Sequence, residues 1–225
     1  MTEISAREAI GSRRSVRGFL PTLVPRATVE AILELASRAP SGSNIQPWQA
    51  YVCMGDARKR ISSEVQAAYE SGAEGHQEEY RYYPRAWREP YQSRRRKIGK
   101  DLYGALGITR DDKDGMRRHF GRNYDFFGAP VGIFFAMDRD MEIGSWLDLG
   151  MFMQNVMTAA RIYGLETCAQ QAHAQFHRII CPIMGIPESQ MLICGMALGY
   201  EDRDEPANRL ITERAPVQEF VRFVE

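Results

Sequence analysis

The sequence lacks the features that would place a protein in a membrane or build it around disulfides or zinc. Among 225 residues there are four cysteines, and none stands in a CxxC pair. No apolar run approaches the about 20 residues that a membrane-spanning helix requires. Residues 1–17 carry charged side chains where a signal peptide would be apolar. We therefore expect a soluble, cytoplasmic protein with reduced cysteines and no membrane partner.

The charge balance of the chain argues against a general polyanion-binding protein. The 29 Lys and Arg residues are matched by 29 Asp and Glu, so the formal net charge is zero. Proteins that bind nucleic acid through its phosphates carry a basic excess, and we expect no nucleic-acid partner. The chain has four histidines. His173 and His177 are four residues apart but have no third ligand nearby in the sequence, so we expect no metal site.

Length and a hydrophobic content of 44% predict one globular domain over residues 1–225. Apolar stretches predict strands at 49–54, 131–137 and 191–200. A short helix is expected near 175–184.

Two further helices are indicated by capping patterns. Ser5 with Glu8 forms a capping box at the start of the first helix. Ser145 and Asp148 are candidate caps for a long helix that ends near Tyr163. Because this helix is apolar on almost every side, we expect it to lie in a core or against a partner.

Residues 76–122 differ from the rest of the chain. They contain 13 Lys and Arg against 7 Asp and Glu, together with seven aromatic residues. They contain no long apolar strand, which indicates an insertion over a site rather than part of the sheet. The alternative is a pair of solvated amphipathic helices.

A cluster of basic residues follows the first helix, in "GSRRSVRGF". Arg13, Arg14, Ser15 and Arg17 offer guanidinium groups and a hydroxyl within five residues, a combination suited to phosphate recognition. Cations gathered at a helix C-terminus would account for the same cluster without a ligand.

Two other segments have polar groups suited to a heterocycle. In "PSGSNIQPW", residues 40–48, small hydroxyls and amides can bond a ring edge or a ribityl chain, Gly42 permits close backbone approach and Trp48 offers an apolar wall. A capped turn is the alternative. In "GLETCAQQ", residues 164–171, backbone donors and glutamine side chains could face a ring atom, although the segment could equally be a plain helix-to-strand connection.

These segments together resemble the nitroreductase family of flavin enzymes. The resemblance rests on "RRSVR", "PSGSNIQPW", "FFGAPVGIFF", "GLETCAQ" and "ERAP", in this order and spacing, and covers about four fifths of the chain. It implies an α+β fold, a three-layer sandwich with a central, mostly antiparallel sheet. It also implies a homodimer that exchanges extended segments and binds FMN at the interface, with 76–122 as a helical substrate-channel insertion.

The resemblance implies roles for individual residues. Arg13, Arg14 and Ser15 match positions that hold the FMN phosphate and ribityl chain, Arg17 matches the basic residue near the pyrimidine edge, and Arg214 matches the C-terminal arginine on the phosphate.

Other matching positions lie in the two polar segments. Pro40, Ser41, Gly42 and Ser43 match the turn that one subunit presents to the flavin of the other, with Asn44 as a polar support. Near the flavin N5, the matching residues are Gln170, Gln171 and Ala172. Before "FFGAP", either Asn123 or Arg122 matches a further cofactor contact.

The resemblance implies a nitrobenzoate-reductase-like activity. NADH or NADPH would deliver hydride to flavin N5 and leave, and a nitroaromatic or quinone-like acceptor would then be reduced in its place, with no side chain required as acid or base. The aromatic and basic residues of 76–122 suit an aromatic, anionic acceptor such as a nitrobenzoate.

Other functions are compatible with parts of this pattern. Relatives of the same fold fragment flavin or remove halogens from aromatic rings. A non-enzymatic protein that binds RNA or anions through residues 81–100 is a further alternative. The sequence does not separate NADH from NADPH and does not identify the physiological acceptor.

Overall fold

The computed structural model describes residues 4–225 and is organised around a four-stranded sheet of order β1-β2-β4-β3. The strands are β1 (Gln49–Met54), β2 (Val131–Asp138), β3 (Glu166–Gln170) and β4 (Gln190–Gly199), and each neighbouring pair is antiparallel. The three predicted strands are confirmed to within one residue. The fourth, β3, forms from the segment that the sequence identified only as a connection.

Helices cover both faces of the sheet. They are α1 (Ala6–Ser12), α2 (Arg26–Ala36), α3 (Gly55–Glu70), α4 (Tyr91–Ala105), α5 (Lys113–Gly121), α6 (Ile143–Ile162) and α7 (His177–Met184). None of the helices within residues 4–225 has both the length and the apolar character needed to cross a membrane.

The predicted three-layer α+β arrangement is confirmed, because β2 sends alternate side chains to opposite faces. Ile133 and Phe135 pack into a core with α2 and α6. Phe134 packs into a second core with Ile61 of α3 and Ile180 of α7. All five side chains are fully buried.

The long helix α6 begins earlier than predicted. Glu142 occupies the N-cap position, and Ser145 and Asp148 lie inside the helix, where both are buried. The prediction that they cap the helix was wrong. Polar and acidic residues are also favourable within the first turns of a helix, so their presence did not fix its first residue. Asp148 instead accepts a hydrogen bond from the Gly42 amide at 3.2 Å.

One side of α6 is buried and the other carries an exposed apolar stripe. Leu149, Phe152 and Val156 lie in the core. The exposed stripe consists of Ile143, Leu147 and Met151, with exposed fractions of 81%, 69% and 39%. These residues are spaced four apart, so they lie on one face of the helix.

Residues 76–122 contain α4 and α5 and an irregular stretch before them. The stretch is attached to the body of the protein at its start. Tyr80 donates a hydrogen bond to the carbonyl of Ile193 in β4. Glu79 pairs with Arg139 at 2.9 Å and lies 3.5 Å from His177.

Candidate active site

Residues 13–17 form an extended segment beside the edge strand β3. Ser15 makes a parallel β-bridge with Thr167, and the Val16 amide donates to the Thr167 carbonyl at 3.1 Å. Val16 is fully buried, which anchors the segment. Because side chains alternate along extended backbone, Arg13, Ser15 and Arg17 can share the side opposite Val16.

Arg13, Ser15 and Arg17 line a cavity of about 590 Å³, which we call the cationic cavity. Arg214 joins them from the C-terminal segment, about 200 residues away in sequence. Helix α4 forms another part of the wall. The lining residues are Arg13, Arg14, Ser15, Arg17, Arg94, Lys97, Ile98, Asp101, Leu210, Thr212, Glu213, Arg214, Ala215, Pro216 and Glu219.

The cationic cavity carries a local excess of positive charge. Six Arg and Lys residues line it against three carboxylates, those of Asp101, Glu213 and Glu219, an excess of three. A cavity with this balance attracts a multiply charged anion such as a phosphate monoester.

Arg14 differs from its neighbours in its contacts. Its guanidinium forms an ion pair with Glu201 and donates to the carbonyl of Asn208, so it is bound within the protein. Arg13 and Arg17 make no ion pair within residues 4–225. Among the described residues, the Arg17 guanidinium donates only to the nearby carbonyl of Ser15, at 3.3 Å.

Asn208, which was not predicted from the sequence, binds the end of the basic segment through its side-chain amide. Its Oδ1 accepts from the Arg17 amide at 2.6 Å, and its Nδ2 donates to the carbonyls of Gly18 at 2.9 Å and Asp202 at 2.8 Å. A Cβ at position 18 would lie 2.3 Å from Glu205 Cγ, so only glycine fits there. No sequence motif marks Asn208, because its importance depends on a contact across 190 residues.

Of the residues predicted near the flavin N5, Gln170 ends β3, and Gln171 and Ala172 begin a turn of 3-10 helix, Gln171–Phe176. Gln170 is buried and donates through Nε2 to the Asn123 carbonyl at 2.7 Å and to Asn123 Oδ1 at 3.3 Å. The structure therefore brings Gln170 and Asn123 together. Arg122, the alternative to Asn123, instead pairs with Glu205 at 2.9 Å. Gln171 Nε2 is buried with no hydrogen-bond partner among the described residues, and Ala172 follows it.

Two buried titratable groups lie in and beside this turn. His173 is fully buried and stacks on Phe126 with ring centroids 4.7 Å apart. Burial lowers its pKa to about 4. Burial likewise raises the pKa of the Cys168 thiol, against the opposing effect of the Arg17 charge. Cys168 is a free, buried cysteine.

A second cavity of about 350 Å³ adjoins Gln171, and we call it the aromatic cavity. Tyr80, Tyr82 and Trp146 contribute rings to it, and Arg81 contributes its only guanidinium among the described residues. Tyr80 packs edge-on against Trp146 with centroids 4.8 Å apart. The remaining lining residues are Leu149, Gly150, Met153, Ala169, Ile193 and Cys194. The surface suits a flat, apolar ligand that carries a negative group.

The segment from Pro40 to Asn44 lines neither cavity within this chain. Pro40, Gly42, Ser43 and Asn44 are exposed and Ser41 is half-buried. Ser43 and Asn44 have φ angles of 49° and 58°, in the left-handed region that non-glycine residues rarely occupy. Such strain often marks a segment positioned for function.

Trp48 is half-buried against the core of this chain. It stacks on Phe152 of α6 with centroids 4.8 Å apart and an interplanar angle of 4°, against the core. Because a tryptophan after a polar turn can face either a ligand or the core, the sequence left its direction open.

The chain is similar to known proteins in both sequence and structure. The sequence model of the Nitroreductase family matches residues 10–200. The chain belongs to the Nitroreductase family.

Individual relatives are similar in sequence to this protein along nearly the whole chain. A 4-nitrobenzoate reductase of Nocardioides sp. (strain LMS-CY) is 40% identical over 98% of this chain and 91% of its own length. A chloronitrobenzene nitroreductase of Comamonas testosteroni is 40% identical over 96% of each chain. The crystal structure of an FMN and NADPH-dependent nitroreductase, NfnB from Sphigopyxis sp. strain HMH, superposes with a TM-score of 0.95 at 40% identity, covering 99% of this chain and 100% of that one.

Proposed function

We propose that this protein is an FMN-dependent oxidoreductase that uses NADH or NADPH to reduce nitroaromatic or quinone-like acceptors. The observation that carries the proposal is the convergence of Arg13, Ser15, Arg17 and Arg214 on one cavity, from opposite ends of a chain that belongs to the Nitroreductase family. The names of its relatives give the reaction class.

The cationic cavity fits the phosphate end of FMN. Arg13 and Arg214 can form charge-assisted hydrogen bonds to phosphate oxygens, and the Ser15 hydroxyl can donate another. The local charge excess matches a ligand that carries about two negative charges. Arg17, beside Cys168, can place a positive charge near the developing anion of the reduced ring.

The turn after β3 fits the ring end of FMN. It lies four residues beyond Thr167, the partner of Ser15, which corresponds to about 13 Å along a strand. A ligand with a phosphate at one end and a flat ring at the other can reach both the cationic cavity and this turn. Gln171, which borders the aromatic cavity, is the residue we place beside such a ring.

FMN held by Arg13, Ser15 and Arg214 would supply the hydride-transfer chemistry of the reaction. The protein binds and orients the reactants. Gln171 borders the aromatic cavity as well, so the acceptor can stack there among Tyr80, Tyr82 and Trp146. The dinucleotide and the acceptor bind one after the other at the same place, beside Gln171. The cycle is therefore of the ping-pong type.

The active form is proposed to be a homodimer. Ile143, Leu147 and Met151 expose an apolar stripe that a second copy would cover. The segment from Pro40 to Asn44 adjoins the same helix through the Gly42–Asp148 hydrogen bond. In the proposed dimer, this segment would contribute to the cofactor site of the partner. Segment exchange would also cover apolar residues of the C-terminal tail, which are exposed in the chain: Ile211, Phe220, Phe223 and Val224.

An anaerobic absorbance experiment tests the function. The purified protein is expected to show a flavin band, which NADPH or NADH bleaches and 4-nitrobenzoate restores. A preparation that is colourless and takes up no added FMN would refute the proposal. The dinucleotide that bleaches the flavin band faster is the preferred donor.

Product analysis separates this reaction from the alternatives. Reduction of the nitro group without loss of flavin or halide is expected. Fragmentation of the flavin, or release of halide from a halogenated ring, would indicate the other chemistries found on this fold. Salt-sensitive RNA binding by a flavin-free protein would indicate the non-enzymatic alternative.

A further inference from the structure

The insertion helix α4 contributes to the cationic cavity, although residues 76–122 were expected to serve the substrate channel. Arg94, Lys97, Ile98 and Asp101 of α4 all line this cavity. They are spaced at i, i+3, i+4 and i+7, so they form one face of the helix.

The two cations of α4 that line the cavity form ion pairs with carboxylates of the same cavity. Arg94 pairs with Glu219 at 3.0 Å. Lys97 pairs with Asp101 at 2.5 Å and with Glu213 at 3.4 Å. The side chains of Arg94 and Lys97 are each 51% exposed. Ion pairs this exposed contribute little to stability, so a stronger anion can displace them.

We propose that Arg94 and Lys97 form a second wall of the phosphate subsite, so that helix α4 binds the phosphate of FMN opposite Arg13 and Arg214. The inference rests on the proposed function. A phosphate monoester carries about two negative charges and three acceptor oxygens, so it competes effectively with the single charges of Glu213 and Glu219. The insertion is then part of the cofactor site as well as a border of the substrate channel.

The same helix provides a matched control. Arg96 and Lys100 are exposed and do not line the cationic cavity. They lie two and six residues after Arg94, on the other side of the helix. Arg96→Gln/Lys100→Gln therefore removes the same charge from the same helix as Arg94→Gln/Lys97→Gln.

The experiment measures binding of FMN and riboflavin to flavin-free protein by calorimetry. For Arg94→Gln/Lys97→Gln we expect FMN to bind about 10- to 100-fold more weakly, since charged hydrogen bonds are lost. Riboflavin, which has no phosphate, should bind within about two-fold of the wild type. The control should bind both ligands as the wild type does. Glu213→Gln/Glu219→Gln should instead strengthen FMN binding.

Two results would overturn the proposal. The first is unchanged FMN affinity in Arg94→Gln/Lys97→Gln; if it is accompanied by a raised KM for NADPH, these cations bind the phosphate of the dinucleotide instead. The second is an equal loss for FMN and riboflavin, which would show that the substitutions disturb the fold of α4. A wild-type protein that binds no FMN would instead refute the proposed function.

Discussion

Asn208 holds Arg17 in place by accepting a hydrogen bond from its amide at 2.6 Å, while its Nδ2 donates to the carbonyl of the next residue, Gly18, at 2.9 Å. Asn208 is buried, with 3% of its surface exposed. This one side chain therefore fixes the direction in which the basic segment approaches the cationic cavity.

Asn208→Ala is expected to lower the free energy of unfolding by about 1–3 kcal/mol, because it leaves buried backbone groups without partners. FMN affinity should fall with it, since the Arg17 backbone loses its support. Chemical denaturation and flavin titration measure the two effects. Asn155→Ala is a suitable control, because Asn155 donates a single bond to Ala36 on α2. Wild-type stability in Asn208→Ala would show that these hydrogen bonds do not hold the basic segment in place.

Substitutions of Arg13 and Arg14 should have different effects, one on FMN binding and the other on the stability of the fold. Arg13→Gln is expected to weaken FMN binding roughly 10- to 100-fold and to change stability little. Arg14→Gln breaks the pair with Glu201, so it should lower the free energy of unfolding by about 1–3 kcal/mol with a smaller effect on affinity. Flavin titration beside thermal denaturation distinguishes them. The reverse pattern would assign the phosphate to Arg14.

Arg81 is expected to select acceptors that carry a carboxylate. Arg81→Gln should raise KM for 4-nitrobenzoate by about 5- to 20-fold, as an exposed charged contact is lost. KM for nitrobenzene, which has no carboxylate, should stay within about two-fold. Arg85→Gln removes a nearby exposed charge that does not line the aromatic cavity and serves as the control. Equal changes for both acceptors would remove Arg81 from substrate recognition.

Leu147 tests the proposed dimer. Leu147→Asp places a charge in the exposed apolar stripe and is expected to yield monomers. The monomer should also retain FMN poorly, since Pro40–Asn44 of a second copy would be lost from the site. Light scattering after gel filtration measures the mass. Ser63→Asp, on the exposed side of α3, should leave the mass unchanged. A dimeric Leu147→Asp protein would place the interface elsewhere.

His173 should make the fold sensitive to acid. Its pKa is about 4 in the folded protein, below the unperturbed value of 6.5, because burial disfavours the charged form. The unfolded chain therefore binds more protons as pH falls through 6.5 toward 4. Stability should decrease by about 2 kcal/mol from pH 7 to pH 5 through this group. Burial also lowers the pKa of His119 to about 4, so His119 adds to this loss of stability at low pH.

Denaturant titrations at pH 7 and pH 5 measure this loss. In His173→Gln the loss should be smaller, since the contribution of His173 is removed while His119 and His177 keep their lowered pKa values. An unchanged pH dependence in that variant would show that His173 does not contribute.

The sequence alone determined the family resemblance and most of the sheet. Strands β1, β2 and β4 are dense in apolar residues, and this local property places them whatever the rest of the chain does. The Ser5 cap was also predicted, since a capping box depends on residues only three apart; Glu8 does donate its amide to Ser5 Oγ, at 3.2 Å. The "RRSVR" and "ERAP" motifs named residues that the fold gathers around one cavity.

Only the tertiary structure decided which of these residues face a ligand. Arg13 and Arg14 are chemically identical neighbours, yet Arg14 is bound by Glu201, and a contact across 187 residues leaves no local pattern. Asn208, Trp48 and the cavity-lining face of α4 were undetermined for the same reason. Local sequence specifies helices, strands and turns through short-range backbone preferences. The direction of a side chain depends on what packs against it, and that partner is distant in the chain.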